Sequence, residues 1–135
     1  MDLSSAMTIA AAGMRAQSVR LRVTAENLAN AESTATVAGG DPFRRKTVSF
    51  AAHADRDSGL ELVDAARLGE DGSDFELRYQ PGHPAADAAG YVKYPNVSPL
   101  IELVDMREAQ RSYEANLNAM QLARSMIGRT LDLLR

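Results

Sequence analysis

Apolar residues near the end of the chain repeat with a helical period on two opposite sides. From Pro99 onward there is no further proline and one glycine, Gly128, and Ser98 suits the N-cap of a helix that begins at Pro99. The first stripe has the seven-residue spacing of a coiled-coil seam and comprises Leu103, Met106, Tyr113, Leu117, Met120, Ile127, Leu131 and Leu134. The second lies on nearly the opposite side and comprises Ala115, Ala119, Leu122, Met126 and Leu133. This pattern predicts a long helix with two apolar faces.

The beginning of the chain repeats this two-sided pattern over residues 4–30. One stripe falls at seven-residue intervals and comprises Met7, Met14, Leu21 and Leu28. The other comprises Ile9, Ala12, Ala16, Val19 and Val23. If the two helices pair along one stripe each, the remaining stripes stay uncovered, and an apolar patch of that size is unusual on a monomer. The pattern therefore favours self-association or a neighbouring subunit.

Between the two helices the composition changes to that of turns and short strands. Residues 32–98 hold seven of the nine glycines and four of the five prolines. Alternating apolar and polar residues predict short strands at 47–50, 60–62 and 75–79. The predicted fold is mainly α, with long N- and C-terminal helices paired as an antiparallel coiled-coil-like hairpin and a small loop-rich β region between them. The corresponding division is an N-terminal helix in 1–31, a loop-rich segment with short strands in 32–98, and a C-terminal helix in 99–135.

Charge and composition narrow the class of function. The chain has 135 residues, a formal net charge of −3 at pH 7 and no cysteine. Such a chain has no general electrostatic attraction to nucleic acid, and it has no thiol for a disulfide, a metal site or nucleophilic catalysis. The short apolar run around Ile9 lacks the basic start of a signal peptide, and no stretch approaches the ~18 apolar residues of a membrane span. We therefore expect no nucleic-acid partner, no direct membrane span and no cleaved signal peptide.

The sequence predicts no catalytic, metal or cofactor site. His53 and His83 lie in segments predicted as loops, without neighbours at metal-ligand spacing, and are expected to face solvent. Neither a glycine-rich phosphate loop nor a nucleophile elbow is present, so no small-molecule substrate is indicated. The one basic cluster, Arg44-Arg45-Lys46, is expected at the rim of an interface.

Three short stretches are more specific than a plain helix or turn requires. Residues 27–31 place Asn27 and Asn30 at a helix end, where asparagine is a common terminator. Residues 90–97, Gly-Tyr-Val-Lys-Tyr-Pro-Asn-Val, are interpreted as a turn that docks on the helical pair, and residues 111–116, Arg-Ser-Tyr-Glu-Ala-Asn, include Asn116, which interrupts the first stripe. With residues 42–46 and 81–87, these stretches resemble the bacterial flagellar rod and hook axial proteins, and more narrowly proximal rod subunits. The resemblance extends over essentially the whole chain.

The resemblance implies a structural subunit without catalysis or cofactor, located in the rod of the flagellar basal body that crosses the periplasm. Implied partners are further copies of the chain, other rod subunits, rod-to-ring junction proteins and the flagellar type III export apparatus. Torque would pass through helical assembly of the terminal helices. The expected interface residues are Met7, Ile9, Met14, Val19, Leu21, Val23, Asn27, Leu28, Asn30, Tyr113, Asn116, Leu117, Met120, Leu122, Met126, Ile127, Leu131 and Leu134.

The helix pattern alone leaves a second class of function open. A soluble helical-hairpin adaptor or chaperone-like binding module would also carry an uncovered apolar stripe, which it would cover with a partner peptide. An enzyme ranks third, because no nucleophile and base can be paired from their spacing.

Overall fold

The computed structural model describes residues 2–133, apart from the side chain of Ala66. In chain order the elements are helix α1 (Leu3–Ala29), strands β1 (Lys46–Ala54), β2 (Glu61–Glu70), β3 (Glu76–Tyr79) and β4 (Tyr91–Tyr94), and helix α2 (Pro99–Leu133). The predicted class, mainly α with a small β region between two long terminal helices, is confirmed. Leu134, assigned to the first stripe of the second helix, lies outside the described residues. None of the helices within residues 2–133 is long and apolar enough to cross a membrane.

The chain divides into two compact units. The first draws on residues 1–21, 48–67 and 107–135, and the second on residues 22–47 and 68–106. Both helices and the strands β1 and β2 contribute residues to each unit. Each unit therefore joins segments that are distant along the chain, and each is described separately below.

In the first unit, α1 and α2 run antiparallel and approach closely. Gly13 faces Asn116, so that a Cβ on Gly13 would lie 2.8 Å from Asn116 Nδ2, and Arg20 Nη2 lies 3.5 Å from Glu108 Oε2. The buried apolar residues of the two helices here are small: Ala10, Ala12, Ala16, Ala109 and Ala123. Small side chains at a contact allow two helix backbones to come close together. The helix contact is thus centred on glycine and alanine rather than on the leucines and methionines of the heptad stripes.

The sequence pattern suggested that α1 has one covered and one uncovered stripe. The two stripes do not divide in this way. Ala12, Ala16 and Val23, from the second stripe, are buried. Met7, Met14, Leu21 and Leu28, from the first stripe, are half-buried. The reason is that the buried side of α1 is centred between its two stripes, at Gly13 and Asn27. On α2 the second stripe is exposed, but Leu103 and Leu131 of the first stripe are exposed as well.

The second unit contains an antiparallel hairpin of β3 and β4 with a small core. Its register pairs Glu76 with Tyr94 and Tyr79 with Tyr91. Val92 and Tyr94 are buried together with Ala85, and Ala35 and Ala86 pack against them. Residues 91–94 are therefore a strand, and their interpretation as part of a docking turn is wrong. Tyr91 and Val92 alternate between an exposed and a buried face, as in any half-buried strand.

Strands β1 and β2 are longer than the sequence pattern indicated, at nine and ten residues. They pair as a two-stranded sheet, and the turn between them is closed by a hydrogen bond from Asp55 N to Leu60 O of 2.8 Å. His53 accordingly lies in β1 and not in a loop, although it is exposed as expected. His83 lies in a loop but is half-buried, and its Nδ1 accepts a hydrogen bond from the backbone N–H of Ala85 at 3.1 Å.

Candidate functional site: a buried polar cluster and exposed apolar patches

The second unit contains a polar cluster around two buried side chains, those of Asn27 and Glu102. We define the cluster as these two residues together with the partly exposed Arg45, Lys46 and Asn96. Asn27 is fully buried near the end of α1 and pairs with the backbone of Lys46 as a neighbouring strand would. Its Nδ2 donates to Lys46 O at 2.8 Å, and its Oδ1 accepts from Lys46 N at 2.8 Å. The second Nδ2 proton is donated to Glu102 Oε2 at 3.1 Å. One side chain thereby ties the end of α1 to the start of β1 and to α2.

Glu102 is a carboxylate with no exposed surface, in the first turn of α2. Its Oε1 accepts a hydrogen bond of 2.5 Å from Arg45 Nε, and its Oε2 accepts the bond from Asn27. The N-terminal end of a helix also favours a negative charge. A buried ion pair adds little net stability, but removing one partner is costly because the other charge is left buried and unpaired. Glu102 thus depends on Arg45 across 57 positions of sequence. Arg45 is partly exposed and also lies 3.7 Å from Asp71 Oδ2 and 3.8 Å from Asp105 Oδ2.

Asn96 and Asp71 hold the backbone that carries Arg45. Asn96 Oδ1 accepts from Arg45 N at 2.8 Å, and Asn96 Nδ2 donates to Ser73 Oγ at 2.9 Å. Asp71 N donates to Arg45 O at 2.8 Å. Both polar atoms of the Arg45 backbone are therefore paired, which fixes the direction in which its side chain leaves the chain.

The neighbouring basic residues also act within the chain. Arg44 Nη1 donates to the carbonyls of Asp71 and Ser73 at 2.9 and 3.0 Å, and its guanidinium lies 4.2 Å from the centre of the Phe75 ring. Lys46 Nζ donates to Glu26 Oε2 at 2.9 Å. Each side chain of the basic cluster 44–46 therefore has a partner inside the unit, and its place at an interface rim stays a prediction.

Two carboxyl groups that contact the basic residues 44–46 have lowered pKa values. The backbone N–H and the side chain of Ser73 hold the pKa of Asp71 below its ordinary value of 3.8, and the positive charges of Arg45 and Arg44 lower it further. The hydrogen bond and charge of Lys46 lower the pKa of Glu26. Both groups are therefore ionised, and their bonds are formed, at neutral pH.

Apolar residues of α2 form exposed patches in both units. In the first unit Leu122 is 63% and Met126 47% exposed, and Leu131 and Leu133 are exposed as well. In the second unit Leu100 is 72% and Val104 58% exposed. Apolar side chains with this exposure are typical of surfaces that a partner covers.

The expected interface residues fall into three groups. Asn27 and Val23 are buried inside the chain. Leu122, Met126 and Leu131 are exposed. The half-buried group comprises Met7, Ile9, Met14, Val19, Leu21, Leu28, Asn30, Tyr113, Asn116, Leu117, Met120 and Ile127. Asn30 caps α1, since its Nδ2 donates to Glu26 O at 2.8 Å.

The hairpin of β3 and β4 adds an exposed face that the sequence did not indicate. Leu77 and Tyr79 lie on one face of β3, and Tyr91 lies opposite Tyr79 on β4. The two tyrosine rings meet edge to face with their centres 5.3 Å apart. Among the described residues no group of histidine, aspartate and glutamate is arranged to hold a metal ion.

Comparison with known proteins identifies similar sequences over part or nearly all of the chain. A family model described as "Flagellar basal body rod FlgEFG protein C-terminal" matches residues 88–133. The chain is thus similar to flagellar basal-body rod proteins, a class of structural proteins rather than enzymes.

Relatives along the whole chain define the family more narrowly. The flagellar basal-body rod protein FlgC of Agrobacterium fabrum is 52% identical over 133 residues, covering 98% of this chain and 96% of that protein. FlgC of Escherichia coli O157:H7 is 42% identical, covering 98% of both chains, and FlgC of Bacillus subtilis is 37% identical, covering 94% of this chain and 95% of the relative. The chain belongs to the family of flagellar basal-body rod proteins FlgC.

Proposed function

We propose that the chain is a structural subunit of the flagellar basal-body rod that assembles helically through its terminal helices and transmits torque. The observation that carries this function is similarity to FlgC proteins along nearly the whole length of both chains. An adaptor or chaperone-like module is not favoured, since no relative named above is such a protein. The proposed partners are further copies of the chain, other rod subunits, rod-to-ring junction proteins and the flagellar type III export apparatus. The proposed location is the part of the rod that crosses the periplasm.

The exposed patch of α2 in the first unit is the surface proposed to contact a neighbouring subunit. Leu122 and Met126 lie one turn apart on the helix and are largely exposed. Covering both with apolar surface would favour association by about 25 cal/mol for each Å² removed from water. The half-buried residues Tyr113, Leu117 and Met120 lie on the opposite stripe of α2 and stay predicted interface residues.

The test compares two neighbouring substitutions in cells that lack their own copy of the rod subunit. Leu122→Asp places a charge in the proposed contact, whereas Gln121→Asp places the same charge on the adjacent exposed position. Both variants are expected to fold, because substitutions at exposed positions usually change the free energy of unfolding by no more than about 0.5 kcal/mol. We expect Gln121→Asp cells to swim and Leu122→Asp cells not to assemble flagella.

Protein abundance and export are measured in both strains. Equal motility with equal amounts of protein would show that this patch is not an assembly contact. A rod built normally in cells that lack the chain altogether would overturn the proposed function itself.

A further inference from the structure

Methionine is the only sulfur-containing residue type in this chain. The sequence has six methionines and no cysteine. The methionine thioether is readily oxidised to a sulfoxide, which converts a flexible apolar side chain into a polar one. A methionine that lies in an apolar contact is therefore a site at which oxidation weakens binding.

Met126 is the most accessible methionine among residues 2–133. It is 47% exposed, whereas the others in this range are half-buried: Met7, Met14, Met106 and Met120. Because an oxidant in solution reaches exposed side chains first, we expect Met126 to react ahead of the half-buried methionines.

The position of Met126 on α2 couples its oxidation to the exposed apolar patch of the first unit. Leu122 lies one turn before Met126 and is 63% exposed, while Ala123 is 5% exposed. The helix is thus packed within the unit at Ala123 and leaves Leu122 and Met126 in solvent. Oxidation of Met126 would therefore alter the surface of the patch and leave the packed side of the helix unchanged.

A sulfoxide at position 126 acts on a contact rather than on the fold. In the unassembled chain its oxygen stays hydrated, so the free energy of unfolding should change little. In a contact with apolar surface the same oxygen would lose water without gaining a donor, which is unfavourable. The hydroxyl one turn further on is not free to pair with it, since Thr130 Oγ1 donates to Met126 O at 2.9 Å.

We propose that Met126 is an oxidation site that decides whether an unassembled subunit can be added to the rod. The inference rests on the proposed function, in which Leu122 and Met126 contact a neighbouring subunit. The oxidant is a peroxide. The sulfur lone pair attacks one oxygen of hydrogen peroxide, the O–O bond breaks and an S–O bond forms, and a proton passes to the departing hydroxide, which leaves as water. Sulfur is oxidised by two electrons and the peroxide is reduced by two.

The first measurement tests whether the site is selective. The isolated full-length chain is treated with hydrogen peroxide, and the sulfoxide at each methionine is quantified by peptide mass spectrometry. Met120 is the internal reference, because it lies on the same helix and is half-buried. We expect the sulfoxide to form at least about threefold faster at Met126 than at Met120. Equal rates at the two positions would overturn the assignment of Met126 as the oxidation site.

The second measurement tests whether a polar group at position 126 blocks assembly. Met126→Gln places an amide oxygen near the position of the sulfoxide oxygen, and Met126→Leu keeps an apolar side chain without sulfur. Ser125→Gln places the same amide at the adjacent exposed position. In cells that lack their own copy of the subunit, Met126→Leu and Ser125→Gln should give the normal number of flagella, and Met126→Gln should lower it at least about tenfold. Normal assembly with Met126→Gln would overturn the proposal.

The third measurement tests oxidation itself. The parent or the Met126→Leu chain is induced in the same cells during a pulse of hydrogen peroxide, and new flagella are counted at equal amounts of exported protein. We expect Met126→Leu cells to form at least about threefold more flagella than parent cells. An equal loss of flagella in both strains would overturn the role of Met126.

Comparison with Leu122→Asp separates this inference from the proposed function. If Leu122→Asp and Met126→Gln both assemble normally, the patch is not an assembly contact, and both proposals lose it. If Leu122→Asp blocks assembly and Met126→Gln does not, the contact stands and the oxidation site alone is wrong.

Discussion

Replacing Gly13 by alanine should destabilise the protein, although alanine is the better helix former. In an open helical position the exchange gains roughly 0.5–1 kcal/mol. At Gly13, however, the new Cβ would lie 2.8–2.9 Å from three side-chain atoms of Asn116. Asn116 cannot move away freely, because its Nδ2 donates to Ser112 O at 2.9 Å. Overpacking of this kind costs typically about 1–3 kcal/mol, so Gly13→Ala should lower the free energy of unfolding by about 1 kcal/mol net.

The sign of this effect should reverse when Asn116 is shortened. In an Asn116→Ala background the clash disappears, and Gly13→Ala should raise the free energy of unfolding by roughly 0.5–1 kcal/mol. The coupling energy between the two positions is then about 2 kcal/mol, well above the error of a double-mutant cycle. Urea unfolding of the full chain, followed by far-UV circular dichroism, measures all four proteins.

Gly128 provides the matched control, since it lies in the same helix as Asn116 and a Cβ there would meet nothing within 4 Å. Gly128→Ala should stabilise by up to about 1 kcal/mol in either background. If Gly13→Ala stabilises as much as Gly128→Ala while Asn116 is present, the close approach of α1 and α2 in the first unit is wrong.

Two further substitutions test the second unit. Because the pKa of Asp71 is lowered in the folded protein, its ionised carboxylate stabilises the fold above the ordinary value of 3.8, and this stabilisation is lost as the pH falls through the folded value. Asp71→Asn should therefore be less stable than the parent at pH 7 and equally stable in strong acid. A stability difference that does not depend on pH would contradict this. Gly90 has a φ of 86° and a Cβ there would lie 2.9 Å from an aromatic carbon, so Gly90→Ala should cost about 1–3 kcal/mol in urea unfolding. Gly82→Ala, where a Cβ meets nothing within 4 Å, should be nearly neutral. Equal effects at the two glycines would show that Gly90→Ala is not strained.

The long helices could be predicted from the sequence because their signals are local. Ser98 and Pro99 mark a start, and α2 begins at Pro99, with Glu102 N donating to Ser98 O at 3.1 Å. The seven-residue repeat separates the half-buried Met120 from the exposed Leu122, but it also places the exposed Leu131 on the stripe of Met120. Periodicity identifies which residues share a face, and that information lies within a few turns of helix.

The contact line between the helices could not be predicted in the same way. Hydrophobic periodicity weights large apolar residues, whereas close approach of two backbones depends on small ones such as Gly13 and Ala109. The polar cluster was missed because its members are far apart along the chain. Arg45 was expected at an interface rim, and no local pattern links it to Glu102. Asn27 carried the one usable signal, because a single asparagine is enough to end a helix and the sequence has a second one, Asn30, three residues later.

The polar cluster also bears on which face of α2 remains free in the second unit. At about 100° per residue, Leu100 and Val104 lie on the side of the helix opposite Glu102, and they are 72% and 58% exposed while Glu102 has no exposed surface. By hydrophobicity alone, α1 would gain more by packing on the side of Leu100 and Val104. Rotating α2 to allow this would carry Glu102 away from Asn27 and leave Arg45 without its buried partner. The hydrogen bonds of Glu102 therefore oppose the rotation that would bury these residues within the chain, and they keep the apolar side chains of Leu100 and Val104 exposed.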